Sequence, residues 1–239
     1  MKATLPQSPP DAPMPQPYET KIRPQRRTNW IIIFGLLSVL CVIVLASAPC
    51  FIRGPHRHDD QTEAVCNARQ IGLALMEFEA EYGSFPDDST RQKVQERNPE
   101  NTIPLGTSSS NDYFRQLIAA EMSTSEVMFY AKTPGTHKPD NVITGSRALE
   151  KGECGFAYVY GLSSAGDPNR PLAVFPMIPG KLLFDRKILD GKMVVLKMDN
   201  SVTSLHIDKS GRAIFKGKDL FDPSQPFWGG KAPVVKWPE

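Results

Sequence analysis

The sequence predicts an α+β fold in which an amphipathic helix packs on a small antiparallel β-meander, with a transmembrane helix ahead of both. Three observations carry this: an uncharged apolar run from Trp30 to Ala48, a helix-period apolar stripe from Gln61 to Tyr82, and a change to period-two patterning from Gly155 onward. Helical and strand signals are segregated along the chain rather than alternating, which favours an antiparallel sheet over βαβ units.

The first 28 residues hold Pro6, Pro9, Pro10, Pro13, Pro15, Pro17 and Pro24 and few large apolar groups. Such a composition offsets little of its ordering entropy, so 1–28 is expected to be a disordered tail. Residues 29–48 contain the uncharged run, about 28 Å long as a helix, which matches the hydrocarbon core of a bilayer. A buried core helix would carry a polar stripe, and this run carries none. Lys21, Arg23, Arg26 and Arg27 precede the span, whereas Arg53 and Arg57 after it are offset by Asp59 and Asp60. That asymmetry places the tail in the cytoplasm and the main domain on the exported side. Ala46-Ser47-Ala48 has the form of a signal cleavage site, but Pro49 follows directly and opposes cutting. Pro49 also disfavours lipid modification at Cys50.

Pro49, Gly54 and Pro55 predict a linker over 49–60, and 61–220 is expected to form the exported domain. Its first helix carries Val65, Ala68, Ile71, Leu75, Phe78 and Tyr82 on one stripe and stops at Gly83. A short helix is predicted over Thr90 to Arg97, and an amphipathic one over Asn111 to Glu121 with Ser110 or Asn111 as its cap. Ser123-Thr124-Ser125-Glu126 fits a capping box before a turn through Val127 to Tyr130, and Lys132 to Lys151 is loop-like. Strands are predicted at Phe156–Tyr160, Leu172–Ile178, Met193–Met198, Val202–Ile207 and Ala213–Phe215, with Asp199-Asn200 and Lys209-Ser210-Gly211 as turns. Pro223, Pro226, Gly229, Gly230, Pro233 and Pro238 predict an irregular tail over 221–239.

A formal net charge of +2 over 239 residues argues against a polycation that coats nucleic acid. Of four cysteines, Cys41 lies in the span, and Cys66 and Cys154 either pair across the exported domain or stay free, Cys66 on a helix face and Cys154 in a loop. His56, His58, His137 and His206 are the places to seek catalysis or metal, yet His56 and His58 fall in the linker, His137 in a polar loop and His206 near a turn. Ser163 and Ser164 lack the strand–elbow–helix setting of a serine nucleophile. Asp219, Asp222 and Ser224 offer hard oxygen ligands, but without the alternating carboxylates of a calcium loop they read as turn formers. No catalytic, cofactor-binding or metal-binding residue is assigned from the sequence, and no enzyme activity is expected.

The order of parts, with Phe78-Glu79-Ala80-Glu81-Tyr82-Gly83-Ser84-Phe85-Pro86 closing the first soluble helix, resembles the type IV pilin and type II secretion pseudopilin family. Lys192 to Val202 is similar to the Asp-Gly-Ser-Val hairpin of pilin-like proteins of planctomycete and verrucomicrobial bacteria, with Asn200 in place of the usual Gly. Asn29-Trp30-Ile31-Ile32-Ile33 stands where pilin precursors carry Gly followed by Phe-Thr-Leu-Ile-Glu, so a recognisable prepilin cleavage motif is absent from that position. The resemblance implies a single-pass protein of the bacterial inner (cytoplasmic) membrane with a periplasmic domain. It would act on the bilayer and on other envelope or secretion-system proteins, in a type II secretion or type IV pilus-like assembly. The rival expectation is a solitary exported binding or sensory module whose Pro-rich tail docks a cytoplasmic partner.

Overall fold

The computed structural model describes residues 57–239. The expected tail, span and first part of the linker lie outside them, as do Cys41, Cys50 and His56. Among the described residues no helix is long and apolar enough to cross a membrane.

Helix α1 spans Arg57–Tyr82. Residues 57–60, expected as linker, are helical: Asp59 and Asp60 fall in the first turn, where the positive end of the helix dipole favours acidic side chains. The predicted stripe is the buried one from Ala68 onward, with Ala68, Ile71, Leu75, Phe78 and Tyr82 sealed from solvent, whereas Val65 is only half-buried and Ala64 holds the buried place one turn earlier. Gly83 ends the helix at φ +84°, its N–H donating to the Glu79 carbonyl at 2.8 Å.

Helix α2, Asp88–Arg97, starts ahead of the expected Thr90 because Asp87 caps it. The Asp87 carboxylate accepts from the Ser89 and Thr90 N–H groups at 2.7 and 2.8 Å, and Thr90 Oγ1 accepts from the Asp87 N–H at 2.8 Å. Helix α3, Ser110–Ala119, is capped by Ser109 rather than by Ser110 or Asn111. Those two side chains are engaged elsewhere: Ser110 Oγ donates to the Phe156 carbonyl, and Asn111 Nδ2 to the Leu149 and Glu150 carbonyls. Helix α3 is also buried on every side, so its expected polar face does not meet solvent. Gln116 and Arg115 are tolerated there because each is tied to neighbouring chain, Gln116 to the Asp87 carbonyl and Arg115 to the Ala148 and Leu149 carbonyls.

The main sheet has five antiparallel strands in the order β4-β3-β2-β1-β7: β1 Ala157–Tyr160, β2 Pro171–Phe175, β3 Lys192–Lys197, β4 Val202–His206 and β7 Val234–Lys236. The first four form the predicted meander. Ala213–Phe215 departs from expectation: Ile214–Phe215 (β5) pairs with Lys218–Asp219 (β6) in a separate two-stranded ribbon, and only an isolated Ile207–Ala213 bridge links it back. The expected irregular tail is also corrected. It contributes a 3₁₀ turn at Pro226–Trp228 and strand β7, which pairs Val235 with Val159 on the edge of β1.

Both faces of the sheet are covered. Tyr158, Leu172, Phe175, Val194 and Leu196 face a core shared with α1 and α3. Val159, Val174, Met193 and Val195 face a second core closed by Phe184, Leu220, Phe221, Phe227 and Trp228. Burial on two sides explains why β2 and β3 are continuous apolar runs instead of alternating ones.

Candidate functional site

Between α3 and β1 the chain takes a long excursion, Glu121 to Phe156, with two 3₁₀ turns at Val127–Phe129 and Gly145–Arg147 and no strand. Loops of this length in a compact domain need side chains to satisfy their backbone. Asn67 of α1 supplies two such bonds, donating from Nδ2 to the Val127 and Tyr130 carbonyls at 3.0 and 2.9 Å. Asn111 and Arg115 of α3 hold the far end at residues 148–150. Asn141 and Leu149 sit at φ +63° and +48°, a backbone region that non-glycine residues adopt only when their surroundings fix them.

The loop folds three carboxylates onto one another. One oxygen from each of Glu126, Asp140 and Glu153 lies within 4.8 Å of the other two. Glu126 is 0% exposed and Glu153 1%. Glu126 Oε1 accepts from the Leu149 N–H, and the Glu126 N–H donates to Asn141 Oδ1 at 3.0 Å. Glu153 accepts from the Asp140 N–H on Oε1 at 3.2 Å and from the Glu150 N–H on Oε2 at 2.6 Å. Asp140 accepts from the Val142 N–H at 2.9 Å and is ion-paired with Arg147. Glu126 Oε2 is buried and meets no hydrogen-bond partner. Burial raises the Glu126 pKa above the usual carboxylate value, the Leu149 N–H works against that, and the charges of Glu153 and Asp140 push it further up.

Beside this cluster lies a cavity of about 610 Å³ whose lining includes His137, Lys151, Cys154, Met177, Asp185 and Glu239. Cys154 is fully buried, and burial pushes its thiol up to about 12 despite its contacts with the Phe156 carbonyl and Ser110. A thiol held so high supplies no thiolate nucleophile at neutral pH.

Among the described side chains, His137 is the sequence candidate brought near the cluster, its Nε2 4.0 Å from Glu153 Oε1. His206 is exposed at the end of β4. Ser163 and Ser164 are exposed in the β1–β2 loop, where the Ser164 N–H donates to Glu79 Oε1 at 2.8 Å. Asp219 and Asp222 accept from the N–H groups two residues on, those of Phe221 and Ser224, and Asp219 lies 3.7 Å from Arg212, which is turn chemistry. Cys66 is exposed on α1 and Cys154 buried in the core, and both are free thiols, so the bridge between them is not formed. Glu126, Asp140 and Glu153 were not singled out by the sequence because no local motif joins them. The capping-box spacing around Glu126 is misleading: that side chain turns inward to Leu149 instead of capping the turn at Val127.

Comparison of the chain with protein-family models, with curated proteins and with solved structures finds no match.

Proposed function

We propose that the chain is a single-pass, membrane-anchored, pilin- or pseudopilin-like envelope protein that acts through protein–protein contacts, in a type II secretion or type IV pilus-like assembly. The observation that carries this reading is α1. It is 26 residues long, follows closely on the apolar run at 30–48, and lays one stripe on an antiparallel meander while its other stripe stays outside. That outer stripe runs through Cys66, Arg69, Gln70, Leu73, Glu77 and Ala80, with Leu73 63% exposed. A large apolar side chain at the middle of an otherwise polar helix face suits lateral packing against a neighbouring subunit.

Cys66 makes the test direct. In a Cys41→Ser, Cys50→Ser background, a bismaleimide applied to intact membranes is expected to give a crosslinked dimer or a conjugate with an envelope protein, and Leu73→Asp should abolish it. Intact mass should match the full-length chain. A chain that stays monomeric and partnerless under these conditions overturns the assembly reading. The second reading, a solitary exported binding module, is favoured by the cavity beside Cys154, and that monomeric outcome would leave it standing.

A further inference from the structure

We propose that Glu126, Asp140 and Glu153 form a binding site for a calcium ion, which locks the long α3–β1 loop onto the domain. Two independent features point there. The first is spacing: oxygens about 2.3–2.6 Å from a shared Ca²⁺ lie at most about 5 Å apart, and the three carboxylates meet that condition. The second is the Glu126 carboxyl group, which is fully buried, lies against the other two, and keeps Oε2 without any partner.

The local charges favour a cation as well. Arg147 pairs with Asp140, which leaves Glu126 and Glu153 as two buried carboxylates. His137, whose side chain is 62% exposed, comes no closer to Glu153 than 4.0 Å. Buried carboxylates close to one another are costly unless neutralised, and a divalent cation neutralises both at once. The donors are all oxygen, which selects a hard ion. Calcium suits the setting better than magnesium, because it accepts irregular sets of six to eight oxygens, whereas magnesium holds its waters and demands a near-ideal octahedron. Loop carbonyls and water would complete the shell. The site is made of different residues from Asp219, Asp222 and Ser224, and it stands or falls independently of what α1 contacts.

The test uses the full chain in detergent, stripped with EDTA and returned to calcium-free buffer near neutral pH. Calorimetric titration with CaCl2 is expected to show one ion bound per chain, half-saturating between about 0.1 and 1 mM, the range of extracellular calcium modules. Thermal unfolding should shift upward with added CaCl2 and much less with MgCl2. Asp140→Asn, at an exposed position, and Glu126→Gln, which keeps an acceptor for the Leu149 N–H, should each weaken calcium binding about tenfold or more. Protease cleavage between residues 130 and 150 should slow with calcium in the native chain and not in the variants. Absence of binding at millimolar CaCl2, or equal binding by both variants, would overturn the proposal. So would a chain that ignores calcium but gains stability on mild acidification, since Glu126 would then be neutralised by a proton instead.

Discussion

The two faces of the main sheet are closed in different ways. On one face the lid is built on α1 and α3, regular elements that satisfy their own backbones, with the α3–β1 loop tied to them by Asn67, Asn111 and Arg115; there Phe114 stacks on Phe129, and Phe114 and Tyr113 meet Tyr158 at tilted angles. On the other face the lid is chain with almost no regular structure, yet it buries Phe184, Phe221, Phe227 and Trp228 as deeply. Its backbone is satisfied piecemeal. Gln225 Nε2 donates to the Phe215 and Asp219 carbonyls, Trp228 Nε1 to the Leu220 carbonyl, and Arg170 Nε to the Phe227 carbonyl. A helical lid distributes its polar requirements evenly, whereas an irregular lid concentrates them on a few side chains.

The largest effect is expected on the helical side. Phe78→Ala removes a fully buried ring that stacks on Tyr82 at 4.5 Å, and should cost about 3–5 kcal/mol in a urea titration. Trp228→Ala should cost about 3 kcal/mol, the low end of the same range, because irregular chain relaxes around a void more readily. Hydrogen exchange separates the two lids: Phe78→Ala should lower protection throughout the domain, while Trp228→Ala should lower it first over 213–239. Uniform loss in both variants would mean that the irregular lid is as cooperative as the helical one. Next in size, Gln225→Ala strips the donors from two carbonyls and should cost about 1–3 kcal/mol.

The helical lid was legible in the sequence and the irregular one was not. Ile71, Leu75 and Phe78 recur at helical spacing, so their common face can be read without knowing what it meets. Phe221, Phe227 and Trp228 follow no period, and the prolines and glycines around them signal loop, which is correct locally and silent about burial. One clue was present: Met193-Val194-Val195-Leu196 is apolar on both faces of its strand, so something had to cover the second face. Strand β7 had no comparable signal, since Val234-Val235 is short and flanked by Pro233 and Pro238. The carboxylate cluster was the least legible, because Glu126, Asp140 and Glu153 meet only through the return path of the loop.

A smaller effect tests capping on the helical side. Burial alone would raise the Asp87 pKa, but the bonds from the Ser89 hydroxyl and N–H, the Thr90 N–H and the Ser84 hydroxyl outweigh it and hold the carboxylate below its usual 3.8. A pKa lowered by folding stabilises the protein above the unfolded value and is lost as pH falls through the folded one. Asp87→Ala should therefore cost about 1 kcal/mol near neutral pH. Asp87→Asn keeps the cap but not the charge, and should flatten the loss of stability below about pH 4. An unchanged acid limb in Asp87→Asn would place that proton uptake on other carboxylates.

The smallest effect lies where α1 meets the sheet. Asn200 turns the β3–β4 hairpin at φ +60°, and its buried Oδ1 has no partner. Across from it, a Cβ on Gly72 would come within 1.9 Å of that oxygen and 2.8 Å of Leu196 Cδ1, so the glycine is what lets the hairpin tuck against the helix. Asn200→Gly suits the left-handed turn and removes the unpartnered oxygen, and is expected to raise stability by up to about 1 kcal/mol. It should also make room on the helix: Gly72→Ala should cost at least about 0.5 kcal/mol less in the Asn200→Gly background than in the native chain. Additive costs in that double-mutant cycle would mean that Leu196, and not Asn200, sets the limit on how closely the helix approaches the sheet.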